Sequence, residues 1–266
     1  IGLYRLAVGC GLDGEIFSTL IKIDMPESVD NIAILINHSE RIPSKILSGM
    51  CDLITKNKNV ELLLLKISQK QVEFIQGIRS NYPESPGYEC IQVFEKAASI
   101  LKIPPPDLFD YIQNDINIEN EDDQTRLAAY ELLTNTFLEV PFNPSDHECI
   151  SMLISRNIDR DPKIRVLAVK FGFEELLKIN NYKKNIKPNS NQNDDEVIKS
   201  FIKAIENDVW DMAQKRSIDR SSAEVRCATL KGISHLDAKD IKINEEKISE
   251  RIKDSNKEVR EIALRV

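Results

Sequence analysis

No apolar run in this sequence approaches the roughly 20 residues that a membrane-spanning helix needs. The best candidate, Val60–Ile67, is short and interrupted by charge, so no membrane segment is expected. Glycine is scarce, at nine among 266 residues. That is few for an α/β enzyme built on tight turns. The cysteines, Cys10, Cys51, Cys90, Cys149 and Cys227, are odd in number and show no C-x-x-C spacing. A disulfide framework is therefore not expected, and the cysteines read as small core residues of a reducing compartment. No G-x-S-x-G, H-E-x-x-H or P-loop pattern occurs.

Cationic excess is also missing. The net charge is −7 and the isoelectric point is near 5.2, whereas duplex binding depends on clustered positive charge. Direct nucleic-acid binding is not expected; Lys183, Lys184 and Lys187, or Lys215 with Arg216, are the local patches it would use. His147 and Cys149 place two metal-ligand types close together, but no second pair follows at zinc-site spacing. His38 and His235 stand alone. The sequon at Asn37 falls in an apolar helical pattern and reads as a chance match. Gly9, Gly11 and Gly14 form a G-x-G-x-x-G, with Asp30 at about the distance of a ribose-binding acid. No β-α-β series follows, so a dinucleotide-binding enzyme is the minor alternative. The chain reads as a non-enzyme without cofactor or metal.

What is present is helix-forming composition and a repeat. Hydrophobic residues make up 41% and charged residues 30% of the chain, enough for a core under a solvated surface. Ile158–Ala168, Ile218–Ala228 and Ile252–Ala263 share one pattern: the end of an apolar helix, an acidic turn, then Ile/Val-Arg opening a second helix. A weaker copy covers Asn120–Ala128. The matching arginines are Arg126, Arg165, Arg226 and Arg260, at intervals of 39, 61 and 34 residues. Two of these lie near the ~40-residue period of HEAT and armadillo repeats.

Each feature has a physical role. Asp161, Ser222 and Asp254 stand where the second helix begins and can cap free N–H groups. Pro162 suits a first helical turn. Ile164, Val225 and Val259 start the buried stripe, and Ala168, Ala228 and Ala263 let helices approach. The arginine beside the stripe can reach an acid in the neighbouring turn, a structural ladder of Arg126, Asp159, Asp161, Arg165, Asp219, Arg226, Asp254 and Arg260. Val197, Ile198, Phe201, Ile202, Ile205 and Val209 form another helical stripe, as do Ile150, Leu153 and Ile154. One helix pair cannot bury such faces alone, but stacked pairs can.

The expectation is therefore an all-α, HEAT/armadillo-like α-solenoid of antiparallel helix pairs. Residues 1–115 read as degenerate repeats, with amphipathic helices over 42–55, 88–101 and 108–116 and a break at Pro104–Pro106. Residues 116–266 read as regular repeats, with an acidic turn at 119–123 and a disordered asparagine-rich insertion near 181–195. Ile1 and Val266 look like cut ends of a longer continuous solenoid.

The order of segments resembles the precocious-dissociation-of-sisters family of cohesin regulators. Asp107–Asp115 followed by Glu121–Leu133 is similar to one repeat of that family. Ser155–Phe171, Lys215–Arg226 and Glu250–Arg260 look like those that follow, and Pro86–Lys96 like the helix preceding the series. The resemblance covers roughly 85–266; the asparagine-rich insertion and Thr125, where an aliphatic residue is usual, depart from it. It implies a nuclear, chromosome-associated scaffold that regulates sister chromatid cohesion in the cell cycle by binding the cohesin kleisin subunit and the release factor Wapl. Partner-contacting residues do not transfer, since no binding motif is matched. Another HEAT scaffold, such as a condensin subunit or a nuclear transport receptor, is the alternative.

Overall fold

The computed structural model describes Thr19 and residues 26–38, 41–42, 44–67, 70–80, 88–117, 122–185, 192–236 and 245–266. Gly9, Gly11 and Gly14, with Cys10, lie outside the described residues. Among the described residues all regular structure is helical, with thirteen α-helices and no strand. This is the outcome expected of a chain poor in glycine and rich in Leu, Ile, Lys and Glu. The chain divides into two compact units, Ile1–Asp115 and Ile116–Val266, and the fold class of each is the all-α solenoid kind, helix packed on helix. No described helix is long and apolar enough to cross a membrane.

The first unit contains α1 (Pro26–His38), α2 (Ser44–Leu53), α3 (Lys58–Lys66), α4 (Gln71–Ser80), α5 (Tyr88–Leu101) and α6 (Pro105–Ile112). Alternate helices form layers: α1 packs on α3 and α3 on α5, while α2 packs on α4. Ile46, Met50, Leu63, Leu64, Phe74 and Phe94 fill the space between them. Asn57 starts α3 by accepting the Asn59 N–H at 2.9 Å. The prolines that break the chain after α5 also begin α6, where their missing N–H groups leave no bond unmade.

The second unit contains α7 (Asp123–Glu139), α8 (His147–Ser155), α9 (Pro162–Asn185), α10 (Gln192–Arg216), α11 (Ala223–Ser234), α12 (Glu245–Ser249) and α13 (Lys257–Ala263). Short 3-10 turns cover Pro144–Asp146, Arg156–Ile158 and Glu250–Lys253. One layer runs α7, α9, α11, α13, each packed on the next; α8 packs on α10 in the other, and α9 touches both. Ring pairs join neighbours both within and between layers: Phe137 of α7 is edge-on to Phe171 of α9 at 6.3 Å, and Phe173 of α9 is edge-on to Trp210 of α10 at 6.4 Å.

Three expectations are corrected here. The asparagine-rich stretch is largely helical: α9 continues to Asn185 and α10 starts at Gln192, taking in Asp194 and Asp195; only 186–191 lie outside the described residues. Tertiary contacts override composition, because Tyr182 packs edge-on against Phe142 and Lys183 bonds Glu206 at 2.6 Å. Second, Asp123 is not a turn residue but opens α7, while Asp122 stays outside the helix as its N-cap and accepts from the buried Thr125 hydroxyl. That bond explains the polar Thr125 inside an apolar pattern. Third, the stripe on α10 is buried at Ile202, Ile205 and Val209, but Val197 is exposed. The start of α8 reaches only as far as Phe201, against which His147 stacks.

Candidate functional site

Where one helix pair hands over to the next, the second unit carries a run of buried charges. In each pair a 3-10 or tight turn ends at an aspartate, and the following helix begins within a few residues. Asp159 and Asp254 hold extended backbone angles, φ −54° and ψ 148° and φ −59° and ψ 148°. Their side chains fold forward: Asp159, Asp219 and Asp254 each accept the N–H two residues on, from Asp161, Ser221 and Asn256, at 2.8–3.0 Å. This shapes the turn and leaves carboxylate oxygens facing the preceding repeat.

The arginines reach those oxygens. Arg126 meets Asp159 edge-on, Nε to Oδ2 at 3.3 Å and Nη2 to Oδ1 at 3.0 Å, with both side chains fully buried. Arg226 meets Asp254 in the same way at 2.9 and 2.8 Å. Arg165 and Asp219 form a looser rung across the long interval. Nε lies 3.2 Å from Oδ2 without hydrogen-bond alignment. The second arm runs through Ser221, whose hydroxyl accepts from Arg165 Nη2 at 2.6 Å and donates to Asp219 at 2.8 Å.

Arg165, Arg226 and Arg260 also work within their own turns. Nη1 of Arg165, Arg226 and Arg260 donates to the carbonyl oxygens of Asp159, Asp219 and Asp254 at 2.7–2.8 Å. Arg260 pairs with no described aspartate. Asp161 belongs to the helix start rather than to the rungs: it accepts the Lys163 N–H at 2.8 Å. The corresponding caps are Ser222 and Asn256, which accept from Val225 and Val259; Asp254 is a rung and does not cap.

Several contributors are not singled out by sequence reasoning. Arg216 and Arg251 stand three residues before their aspartates and donate to them at 2.9 and 3.3 Å; Arg156 occupies that place before Asp159. Their constant spacing is a usable signal. Lys178 is harder to foresee, because its targets are backbone: Nζ donates to the carbonyls of Phe137 and Val140 at 2.8 and 3.0 Å, closing the end of α7, and to buried Glu175 at 2.8 Å. The Tyr130 hydroxyl likewise donates to the Leu153 carbonyl. Cys51, Cys90 and Cys227 are buried core residues, and burial pushes the Cys227 thiol up from its ordinary value.

The electrostatics follow from these bonds. Burial alone would push the Asp219 carboxyl up, but the Ser221 hydroxyl, the Arg165 charge and the Ser221 and Ser222 amides outweigh it and hold it below the ordinary 3.8. For Asp254 burial is outweighed by Arg226, the Asn256 amide and Arg251, again with a net fall. A carboxylate depressed in the folded state stabilises above its ordinary value and loses that contribution as pH falls through the folded one. Glu175 acts in the opposite sense, since burial holds it above 4.5 despite Lys178. Stability is therefore expected to fall from about pH 5 downward, most steeply below 3.8. Urea midpoints at stepped pH check this; a midpoint flat down to pH ~3 would contradict the charge state of these rungs.

Arg165→Ala is expected to destabilise by about 1–3 kcal/mol, the range for a hydrogen bond to a charged group. The loss is limited because Asp219 keeps Arg216, Ser221 and Ser222 as donors. Unchanged thermal stability would remove Arg165 from the ladder.

The fold and its rungs define an all-α helical repeat protein in which buried charge joins one helix pair to the next. Compared with protein-family models, curated proteins and solved structures, the chain matches none.

Proposed function

We propose that this chain is a protein-binding scaffold and not an enzyme, and that it regulates cohesin on chromosomes through the kleisin subunit and Wapl. The observation that carries the scaffold reading is the use made of the buried charges. Arg126, Arg226, Asp159 and Asp254 bond one another across successive helix pairs, so these ionisable groups hold the repeats in register. Stacked repeats of this kind expose long faces to partners. The cohesin assignment, with its nuclear localisation, rests on the resemblance of residues 85–266 alone.

The test is affinity purification of the protein from nuclear extract under native salt, followed by mass spectrometry. Cohesin with its kleisin and Wapl should be recovered together. Recovery of condensin or Ran in their place would replace the cohesin reading with the corresponding HEAT scaffold.

A further inference from the structure

In the second unit, a groove of about 430 Å³ runs between the end of α8, the turn after it and the last turns of α10. Met152, Ile154 and Ile158 supply its apolar lining, and Asp208 and Asp211 stand on the α10 side. Met152 is 39% and Ile158 62% exposed, so both present apolar surface to water. Lys215 is also on the lining, but its ammonium is held by Asp211 at 2.6 Å. Asp208 pairs with no described cation.

Asn157 lines the same groove and is 8% exposed. Its Nδ2 donates to the Ile154 carbonyl at 2.8 Å, which fixes the orientation of the amide. The Oδ1 is buried and accepts from no described residue. A buried acceptor without a donor is rare, because its lost hydration goes uncompensated. The feature belongs to this turn and not to the repeat: the matching positions are Ser217, whose hydroxyl bonds the Gln214 carbonyl, and Ile252.

The groove thus sets the Asp208 carboxylate, and the side chain that carries the stranded Asn157 oxygen, beside a thioether and two aliphatic side chains. Its complement is a side chain with a long apolar stem and a head that only donates, and guanidinium fits that description best. We propose that this groove docks an extended segment of a partner protein through an arginine flanked by aliphatic residues. The methylene stem lies along Met152 and Ile158, and the guanidinium reaches Asn157 Oδ1 and the Asp208 carboxylate. The inference rests on the scaffold reading and gives it a location, but it does not depend on the partner being cohesin.

The probe is a fluorescein-labelled acetyl-Gly-Ser-Leu-Arg-Leu-Ser-Gly-amide, titrated with the intact chain by fluorescence anisotropy. Its control carries citrulline in place of arginine, which keeps the shape and removes the charge. Saturable binding is expected, about tenfold or more weaker for the citrulline peptide and for Asn157→Leu. The Met152 methyl resonance should shift with the arginine peptide alone. Asp208→Asn, on the outside of a helix, gives the same reading if Asn157→Leu fails to fold. Absence of saturable binding, equal affinity for citrulline, or equal affinity of the folded variants would overturn the proposal. Self-association lost on Asp208→Asn, seen by sedimentation, would assign the groove to a second copy and likewise overturn it. Failure here leaves the co-purification result untouched, so the two readings fail separately.

Discussion

Asp159→Ala is expected to destabilise the second unit by about 3–5 kcal/mol, the range for removing one partner of a buried ion pair. The Arg126 side chain is fully buried, as is the carboxylate it meets. Removing that carboxylate takes away the buried acceptor that Nε and Nη2 share, and Asp123, which also meets Nη2, is more than half exposed and can offset little of the lost hydration. The Asp161 N–H loses its acceptor as well, so the turn loosens with the rung. Urea unfolding is the measurement, and a change below ~1 kcal/mol would show that the pair is not stabilising this junction. Because most of the cost comes from stranding a charge, replacing both residues, Arg126→Met with Asp159→Leu, should recover much of it. In a repeat array coupled through nearest neighbours, Asp159→Ala is also expected to broaden the transition.

Gly232→Ala is the second large effect, by steric means. The added Cβ would lie 2.1 Å from Cδ2 and 2.4 Å from Cγ of Phe173. Atoms at the root of a ring cannot swing aside as the tip of a leucine can, and Phe173 is buried edge-on against Trp210. Either α9 and α11 separate or the ring leaves its rotamer, with a cost of about 1–3 kcal/mol or more. Calorimetric melting should show the loss, and Phe173→Leu in the same chain should restore part of it. A melting temperature equal to the parent's would mean that the helices are not as close as 2.1 Å implies.

The helical class was legible because stripes such as Ile150, Leu153 and Ile154 are local in sequence and buried in the structure. Arg165, Arg226 and Arg260 were legible because each follows an Ile or Val in successive turns, and Arg126 because it holds the same place after Thr125. Which acid each one meets was less so. Asp159 and Asp161 are both one short side chain from the turn, and only backbone direction decides that the first faces the previous repeat and the second its own helix. Composition misled at residues 180–185, where asparagine and lysine hide a helix held by Tyr182 and Lys183 against distant partners. The groove at Asn157 leaves no sequence signal, since an acceptor is stranded only by what surrounds it.

The rungs have a direction: the earlier repeat always supplies the base and the later one the acid. Asp159-Arg160 recurs as Asp219-Arg220, so excising everything between the two joints would splice like onto like. The lengthened or shortened array would meet its neighbours with every charge matched. Such head-to-tail polarity makes the repeat a module that can be duplicated or dropped without redesigning its borders, which is one physical route by which arrays of this kind change length.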